Sequence, residues 1–379
     1  MNPKDFGASL NGRLIKHPTG YWAFLPNPLP DSFTLTSKVS TALSLADRKV
    51  GELKGLCYRL QDPYSLSGAY VVREAEKSSH IEGTQSTAAE LYLFEVEPDV
   101  ATKTDVQEIK NYVNALKYAL DRRQTLPVSL RLLREAHAIL LKGVRGQDKT
   151  PGEFRTSQNW IGGSNPENAL YVPPPVNEMN EALDLLEKFW YRPDPDRIPP
   201  LIEMAMVHYQ FEAVHPYQDG NGRMGRQLIT LLCMERGILD YPLLYLSAYL
   251  EKHRDSYFDV LLAVSQHGAW EEWLMFFLKG VAEQSEDAAK RASRILDLDA
   301  KYRNLDLSQN ALRVIGLLQT NPFVTSSIIE EKLAVSNPTA NKIIQQLTDH
   351  AILRSYPPKR ERSQRYVAQE ILDAYTKEL

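Results

Sequence analysis

Two segments of this sequence, 201–214 and 228–234, are apolar almost all the way round a helix. A helix of that kind has no polar face for water, so it has to lie inside a bundle of other helices. Three segments with apolar residues at helical spacing can surround the pair; they are 106–120, 129–140 and 179–190. The sequence therefore predicts a mainly α fold, with a helical bundle from residue 40 to residue 278.

Length, charge and cysteine content limit the class of protein. A chain of 379 residues exceeds what one core usually holds, so two or three domains are expected. The net charge of -4 argues against a chain coated in nucleic acid, but it allows one small basic patch. The two cysteines form no CxxC pair, so we expect no disulfide framework, no zinc cluster and a cytoplasmic location. We see neither a leader nor a membrane-length apolar stretch, so we expect no membrane partner.

Changes in composition divide the chain into four predicted regions. Residues 1–100 begin with an arm rich in Pro, Gly and Asn, which we expect to be irregular, and continue into helix. Residues 101–285 form the helical core, and the charged stretch 286–305 resembles a linking helix. Residues 306–379 form a separate C-terminal module.

The C-terminal module has the element order of a winged helix-turn-helix domain. The predicted elements are helices around 312–318, at 326–333 and at 338–349, and strands at 352–355 and 365–368. Segment 359–365 carries four basic residues and one acidic residue. Four polar side chains of the third helix could face a nucleic-acid groove: Asn341, Lys342, Gln345 and Gln346. DNA binding is one interpretation, and a module that binds protein or forms a homodimer is the other, because a fold does not determine its partner.

One segment interrupts the helical pattern. Residues 154–160 and 169–172 have extended character, and a Gly-Gly-Ser-Asn-Pro run at 162–166 separates them. This pattern predicts a β-hairpin with a long tip. Because an isolated hairpin is weakly stable, we expect it to pack against the body or to bind something.

The segment between the two apolar helices, HPYQDGNGRMGR at 215–226, carries the chemistry. Pro216 interrupts the helix at His215, whose imidazole can accept a proton near neutral pH. Gly220 and Gly222 allow positive φ, so that successive backbone N–H groups can converge on one point. Such a nest at a helix N-terminus binds phosphate.

Charged residues of the same segment suit a polyphosphate. Arg223 and Arg226 lie three residues apart and share one helix face. Asp219 supplies a carboxylate of the kind that holds Mg²⁺ together with phosphate oxygens. The alternative, a polar turn with a buried histidine, would require all of these features to coincide by chance.

The segment resembles the HPFx(D/E)GNGRxxR signature of Fic-domain proteins, with Tyr217 in place of Phe. The resemblance extends over residues 40–285. It implies transfer of AMP from Mg-ATP to a Tyr, Ser or Thr hydroxyl of a protein. It further implies His215 as the base and Asp219 as the Mg²⁺ ligand. The implied phosphate-binding residues are Gly220, Asn221, Gly222, Arg223 and Arg226.

The resemblance also gives the hairpin a role. In Fic proteins such a flap lies beside the active site and pairs with the backbone of the target, which implies docking at Trp160, Ile161, Gly162 and Gly163. The family holds the adenine on the helix side after the motif. Tyr249 and Tyr257 are the candidates here, and a role in the core is the alternative for each.

A second motif lies upstream, at residues 78–83, SSHIEG. Ser78 and Glu82 are four residues apart, and Gly83 can end their helix. Taken alone, Glu82 would be a solvated surface residue. The motif resembles the (S/T)xxxE(G/N) inhibitory motif of Fic proteins, which implies that Glu82 pairs with Arg226 and obstructs the γ-phosphate.

Several alternatives stay open at this point. The chain could be a transcriptional regulator whose Fic body only senses nucleotide. It could transfer another group, or Glu82 could orient a water that removes AMP. The sequence does not decide whether the protein modifies itself or forms a homodimer.

Overall fold

The computed structural model describes residues 1–7, 9–59, 63–97, 104–193, 197–357 and 364–377. The fold is mainly helical, which confirms the predicted fold class. The helices of the body are α1 (Ser37–Cys57), α2 (Pro63–Ile81), α3 (Ala88–Val96), α4 (Thr104–Arg122), α5 (Leu130–Leu140), α6 (Val176–Trp190), α7 (Pro200–Val214), α8 (Asn221–Glu235), α9 (Ser247–Lys252), α10 (Arg254–His267) and α11 (Trp270–Arg303).

Helices α7 and α8 lie at the centre of the body. All of α7 from Leu201 to Val214 is buried except Glu212, and α8 is buried almost throughout. Of the surrounding helices, α5 begins at a side-chain cap. Ser129 accepts a hydrogen bond from the Leu132 amide at 3.3 Å at the start of α5. The apolar pattern thus places the segment between α7 and α8 next to the core.

The N-terminal region is more regular than predicted. After a 3₁₀ turn at Pro3–Phe6, strands β1 (Gly12–Lys16) and β2 (Trp22–Pro26) form an antiparallel hairpin. The Phe24 side chain is buried, and the Phe24 amide donates to the Val172 carbonyl at 2.9 Å. The expectation of an irregular arm is therefore wrong for these residues, because packing against the body stabilises strands that the Pro-rich composition concealed.

The hairpin predicted at 154–172 is not formed as two strands. A single antiparallel bridge joins Ile161 to Tyr171, and the rest is loop. The backbone groups that would have made a ladder have other partners. The Arg155 amide donates to the Pro216 carbonyl at 2.8 Å, and the Val172 carbonyl accepts from Phe24 of β2. Tertiary hydrogen bonds therefore replace the strand pairing.

The long helix α11 connects the body to the C-terminal module. Its first half is buried in the bundle through Trp273, Phe277 and Val281. The linking helix expected at 286–305 is its second half rather than a separate element. Within the described ranges no helix combines the length and the apolarity needed to cross a bilayer.

The C-terminal module combines helices with a small antiparallel sheet of strand order β3-β5-β4. Its elements are α12 (Gln309–Thr320), β3 (Phe323–Val324), α13 (Ser326–Leu333), α14 (Asn337–Asp349), β4 (Arg354–Tyr356), β5 (Arg365–Val367) and α15 (Gln369–Thr376). Most of the expected basic connection, 358–363, lies outside the described residues. Its last residue, Arg365, is buried and pairs with Glu97 of the body at 3.1 Å, so it is not a free basic side chain.

The module packs against the body through specific contacts. Besides the Arg365–Glu97 pair, Arg291 of α11 donates to the carbonyls of Ala374 (2.9 Å) and Tyr375 (3.2 Å) in α15. The Asn321 side chain donates to the Tyr92 carbonyl of α3 at 2.9 Å. Helices α12 and α15 of the module also contact α2 of the body.

Candidate active site at the 215–226 loop

The loop begins with a backbone reversal at His215. This residue follows the end of α7 with φ 49°, in the left-handed region, and its amide donates to Phe211 at 3.0 Å. Gly220, with φ 81°, precedes α8. Because the first amides of a helix have no intrahelical acceptors, the start of α8 presents N–H groups and a positive dipole end to the space beside His215.

Gly222 is glycine for a reason other than the positive φ that the sequence predicted. It lies in the first turn of α8 without a positive φ. A Cβ atom at this position would lie 2.5 Å from the Glu82 Oε1 atom and 2.8 Å from the Arg226 Nη1 atom. The absence of a side chain therefore lets Glu82 and Arg226 meet against the backbone of α8.

Buried amide groups hold the loop in shape. The Asn221 side chain accepts from the Tyr217 amide at 2.8 Å and donates to the Tyr217 carbonyl at 2.7 Å. Asn159 donates to the same carbonyl at 2.8 Å. The Asn221 side chain is therefore occupied inside the loop, and only its backbone N–H could contribute to the phosphate cradle expected from the sequence.

Arg155 is a site residue that the sequence analysis missed. Its Nε atom donates to the His215 carbonyl at 3.0 Å, and its guanidinium also donates to the carbonyls of Ser157 and Pro174. The side chain is buried. Arg155 therefore holds the segment before α6, residues 154–174, against the backbone of His215.

His215 is a neutral imidazole in this environment. Its Nδ1 atom lies 3.2 Å from the Glu212 carbonyl. A carbonyl can only accept, so Nδ1 carries the hydrogen and Nε2 keeps its lone pair. Burial, assisted by the charge of Arg155, lowers the pKa of His215 to about 4. At neutral pH the ring is therefore unprotonated, and the Nε2 lone pair is available to a hydroxyl proton.

Asp219 and Arg223 form the outer part of the site. Arg223 Nη2 lies 3.3 Å from Asp219 Oδ1, and Arg223 Nη1 lies 3.8 Å from Glu108 Oε2. The Arg223 side chain is buried, whereas the Asp219 side chain is 32% exposed. A partly exposed carboxylate of this kind suits Mg²⁺ that is held mainly by phosphate and water oxygens. Among the described residues no group of three acidic, His or Cys side chains could bind a metal unaided.

The upstream motif meets the loop at Arg226. Arg226 donates from Nη2 to Glu82 Oε1 at 2.7 Å and from Nε to Ser78 Oγ at 2.7 Å, and Nη2 also lies 3.0 Å from the Ser78 carbonyl. Burial would raise the pKa of Glu82, but Arg226 outweighs this effect and the pKa is lowered. Glu82 follows the end of α2, and Gly83 turns the chain with φ 92°. The structure thus brings together residues 144 positions apart.

The two adenine candidates are both buried. Tyr257 is buried, and its hydroxyl lies 2.7 Å from Nε2 of His208, whose Nδ1 faces the Gly225 carbonyl. Tyr249 is buried against Gly280, where an added Cβ would lie 2.7 Å from its ring. The burial of both side chains favours the alternative of a core role for each.

The flap residues are at the surface beside the loop. Trp160 and Ile161 are 39% and 38% exposed, and Gly162 and Gly163 have φ of 70° and 74°. An added Cβ at Gly163 would lie 2.5 Å from the Asn168 carbonyl oxygen, so the tip folds tightly onto itself. An apolar edge of the flap is therefore presented to solvent.

His137 is a second residue that the sequence analysis missed. It lies on α5, and its Nε2 atom is 3.0 Å from the Asp219 carbonyl. Its ring stacks on Tyr217 with a centroid distance of 3.8 Å. The spacing of Leu133, His137 and Leu140 on one buried face is the only sequence signal for it, and a core histidine has the same signal.

The structure is thus an α-helical bundle whose central helix α8 starts at a glycine-containing loop, with a neutral histidine beside it, an arrangement that suits an anion. Comparison with known families identifies it further. Residues 40–121 match the model described as Fic/DOC family N-terminal, and residues 127–233 match the model described as Fic/DOC family. The chain belongs to the Fic family.

Curated relatives and solved structures agree with this assignment. The chain is 31% identical over 115 residues to the protein adenylyltransferase Fic of Aedes aegypti, covering 30% of this chain and 20% of the relative. It is 27% identical over 207 residues to that of Drosophila virilis, covering 55% and 38%. The chain thus spans less than half the length of these curated relatives.

Two solved structures share the fold. A Fic family protein from Desulfovibrio desulfuricans G20 superposes with a TM-score of 0.58 at 20% identity, covering 90% of this chain and 98% of that one. Fic-1 from C. elegans gives a TM-score of 0.52 at 22% identity, covering 69% and 74%. The match to the first structure covers most of both chains.

Proposed function

We propose that this protein is a self-inhibited protein adenylyltransferase, which transfers AMP from Mg-ATP to a Tyr, Ser or Thr hydroxyl of a protein. The observation that carries the proposal is the neutral His215 next to the N-terminus of α8, in a chain similar to proteins named adenylyltransferase. A base and an anion-binding helix end are the two parts that the reaction requires.

In the proposed reaction the hydroxyl oxygen attacks the α-phosphorus of ATP. His215 Nε2 takes the hydroxyl proton, a new oxygen–phosphorus bond forms, and the bond from the α-phosphorus to its leaving oxygen breaks to release pyrophosphate. The backbone amides at the start of α8 bind phosphate oxygens, and Arg223 and Arg226 bind the β and γ phosphates. Asp219 would hold Mg²⁺, which would offset the negative charge of the phosphates.

The inhibition rests on competition for Arg226. Its guanidinium is buried and already bonded to Glu82 and Ser78. The γ-phosphate would need the same N–H groups, and Glu82 would repel it. The close contact of Glu82 with Gly222 adds a steric barrier on the surface of α8.

We propose that the target protein docks at the exposed edge of the flap. Trp160 and Ile161 are partly exposed, and Leu170 is 66% exposed. These apolar side chains flank backbone that can pair with an extended segment of a target, a mode that positions a hydroxyl without requiring a particular sequence. Modification of a second copy of this chain uses the same surface.

Labelling with two forms of ATP tests the proposal. A Glu82→Gly chain incubated with cell lysate should retain label from α-labelled ATP and none from γ-labelled ATP, because only AMP is transferred. The same chain with His215→Ala should retain neither. Label from γ-labelled ATP would mean phosphate transfer instead, and full α-label without His215 would reject it as the base.

One observation supports a second function, in the C-terminal module. We interpret the module as a winged helix-turn-helix whose α14 exposes Asn341, Lys342 and Gln345. Gln346 is committed to Ser308, whose Oγ atom lies 2.8 Å away, so it does not belong to this face. Salt-dependent binding of duplex DNA that Lys342→Glu weakens would support a DNA-binding role; binding that is insensitive to salt and to this change would reject it.

The partial exposure of Glu82 leaves room for the reverse reaction. Its side chain is 34% exposed, so a carboxylate oxygen can contact water in the site. If the wild type removes AMP from a modified target and Glu82→Gly does not, removal of AMP would be assigned to the same site.

A further inference from the structure

His137 is a histidine on an otherwise apolar helix face. The side chain is fully buried, and its neighbours on that face of α5 are Leu133 and Leu140. Burial lowers its pKa to about 4, so the ring is neutral at physiological pH. A residue needed only to fill space there would be another apolar side chain, so its two nitrogens require an explanation.

Both ring nitrogens have backbone partners that define one tautomer. The Gly152 amide donates to Nδ1 at 2.9 Å. Nε2 therefore carries the hydrogen, and it donates to the Asp219 carbonyl at 3.0 Å. A neutral imidazole satisfies both partners. In a protonated imidazole the Nδ1–H would face the Gly152 N–H, so that two donors would oppose each other.

These bonds connect two loops that surround Asp219. Gly152 ends the segment after α5, and Gly146 of the same segment lies against the Asp219 carboxylate, where an added Cβ would be 2.7 Å from Oδ2. Stacking of the His137 ring on Tyr217 fixes the other end of the motif loop. Gly220 leaves room for the ring, because a Cβ there would lie 3.3 Å from Nε2.

We propose that His137 is a positioning residue for Asp219. By holding the Asp219 main chain, it sets the direction in which the carboxylate faces the nucleotide-bound Mg²⁺. This inference rests on the proposed function, in which Asp219 is the Mg²⁺ ligand. Because the Nε2–H bond is the contact with Asp219, loss of that donor should weaken the response to Mg²⁺ more than the binding of ATP itself.

Two substitutions separate the Nε2 bond from the rest of the side chain. His137→Gln places an amide N–H near the position of Nε2, whereas His137→Asn is too short to reach Asp219 and can replace only the acceptor at Nδ1. Both lose the ring that stacks on Tyr217, so the pair is matched for lost stacking. Both are made in Glu82→Gly, in which the proposed inhibition is removed.

The measurement is the affinity for ATP by calorimetry, first in EDTA and then at increasing Mg²⁺ concentration. Substitution of a residue that orients a metal ligand typically weakens metal affinity by about 10- to 100-fold. We therefore expect His137→Asn to raise the Mg²⁺ concentration for half-maximal tightening by about 10-fold, with ATP affinity in EDTA unchanged. The Mg²⁺ response of His137→Gln should resemble that of the parent.

Other outcomes would overturn the inference. These are an unchanged Mg²⁺ response in His137→Asn, equal losses in both variants, or an equal loss in EDTA, since each would indicate a merely structural role. If His137→Asn does not fold, a folded His137→Gln with a weakened Mg²⁺ response would also overturn it. A parent whose ATP binding ignores Mg²⁺ would instead reject the proposed Mg-ATP function, and the inference with it.

Discussion

The contact between Glu82 and Arg226 makes the sharpest prediction about this protein. In Glu82→Gly the guanidinium loses its carboxylate partner, but Ser78 still accepts from Nε and so keeps the side chain in place. Arg226 should then offer Nη1 and Nη2 to the γ-phosphate. Glu82 lies after the end of α2, so glycine there does not interrupt a helix.

The magnitude follows from the geometry of the pair. A hydrogen bond to a charged group contributes about 1.5–3 kcal/mol. Because the Glu82 side chain is 34% exposed, solvent screening reduces this value to about 1–2 kcal/mol. Affinity for Mg-ATP should therefore increase by about 5- to 30-fold. Glu82→Gln keeps the volume and an acceptor but removes the charge, so it should give a smaller increase.

Calorimetric titration of Mg-ATP into the wild type and both variants measures this effect, and incorporation of α-label reports its consequence. Unchanged affinity in both variants would refute the view that Glu82 competes with nucleotide for Arg226. An equal increase in both would show that charge, rather than the space Glu82 occupies, is responsible.

Two further predictions concern stability. Burial lowers the pKa of His137 and His215 to about 4 and that of His208 to about 3. Below about pH 6.5 the unfolded chain therefore binds protons that the native chain does not. As the pH falls, each of these histidines should lower the unfolding free energy by about 1.4 kcal/mol per pH unit. Urea denaturation from pH 7 to pH 5 measures the slope, which His137→Gln should reduce by one proton; an equal slope would contradict the assignment. Arg365→Met should weaken docking of the C-terminal module by about 3 kcal/mol, because it leaves Glu97 unpaired, and faster hydrogen exchange in β5 would report it. Lys301→Met, in a pair exposed at both ends, is the control and should change little; equal effects would contradict the role of burial.

Parts of the fold could be read from local pattern, and others could not. The apolar segments at 201–214 and 228–234 became α7 and α8, because a helix without a polar face can only be central. The predictions of an irregular N-terminal arm and of a two-stranded flap were wrong. Strand pairing at residues 12–26 and its loss at 154–172 both depend on backbone partners from distant segments, such as Val172 and Pro216.

The candidate site divides in the same way. His215, Asp219 and the two arginines belong to one short segment, so their proximity follows from chain connectivity. His137 and Arg155 were missed, because each contacts the loop across 60 residues or more and carries a signal that a structural residue shares. Tyr249 and Tyr257 were candidates by position, but packing buried both rings.

The sequence by itself determined the central helices, the family and the order of the loop residues, because each depends on side chains close together in the chain. The motif resemblance implied that Glu82 pairs with Arg226, and the tertiary structure shows the contact. Only the tertiary structure decided that Gly222 leaves room for that pair and that His137 contacts Asp219. These contacts join segments 82 to 144 residues apart, and they form only when helices α2, α5 and α8 pack against one another.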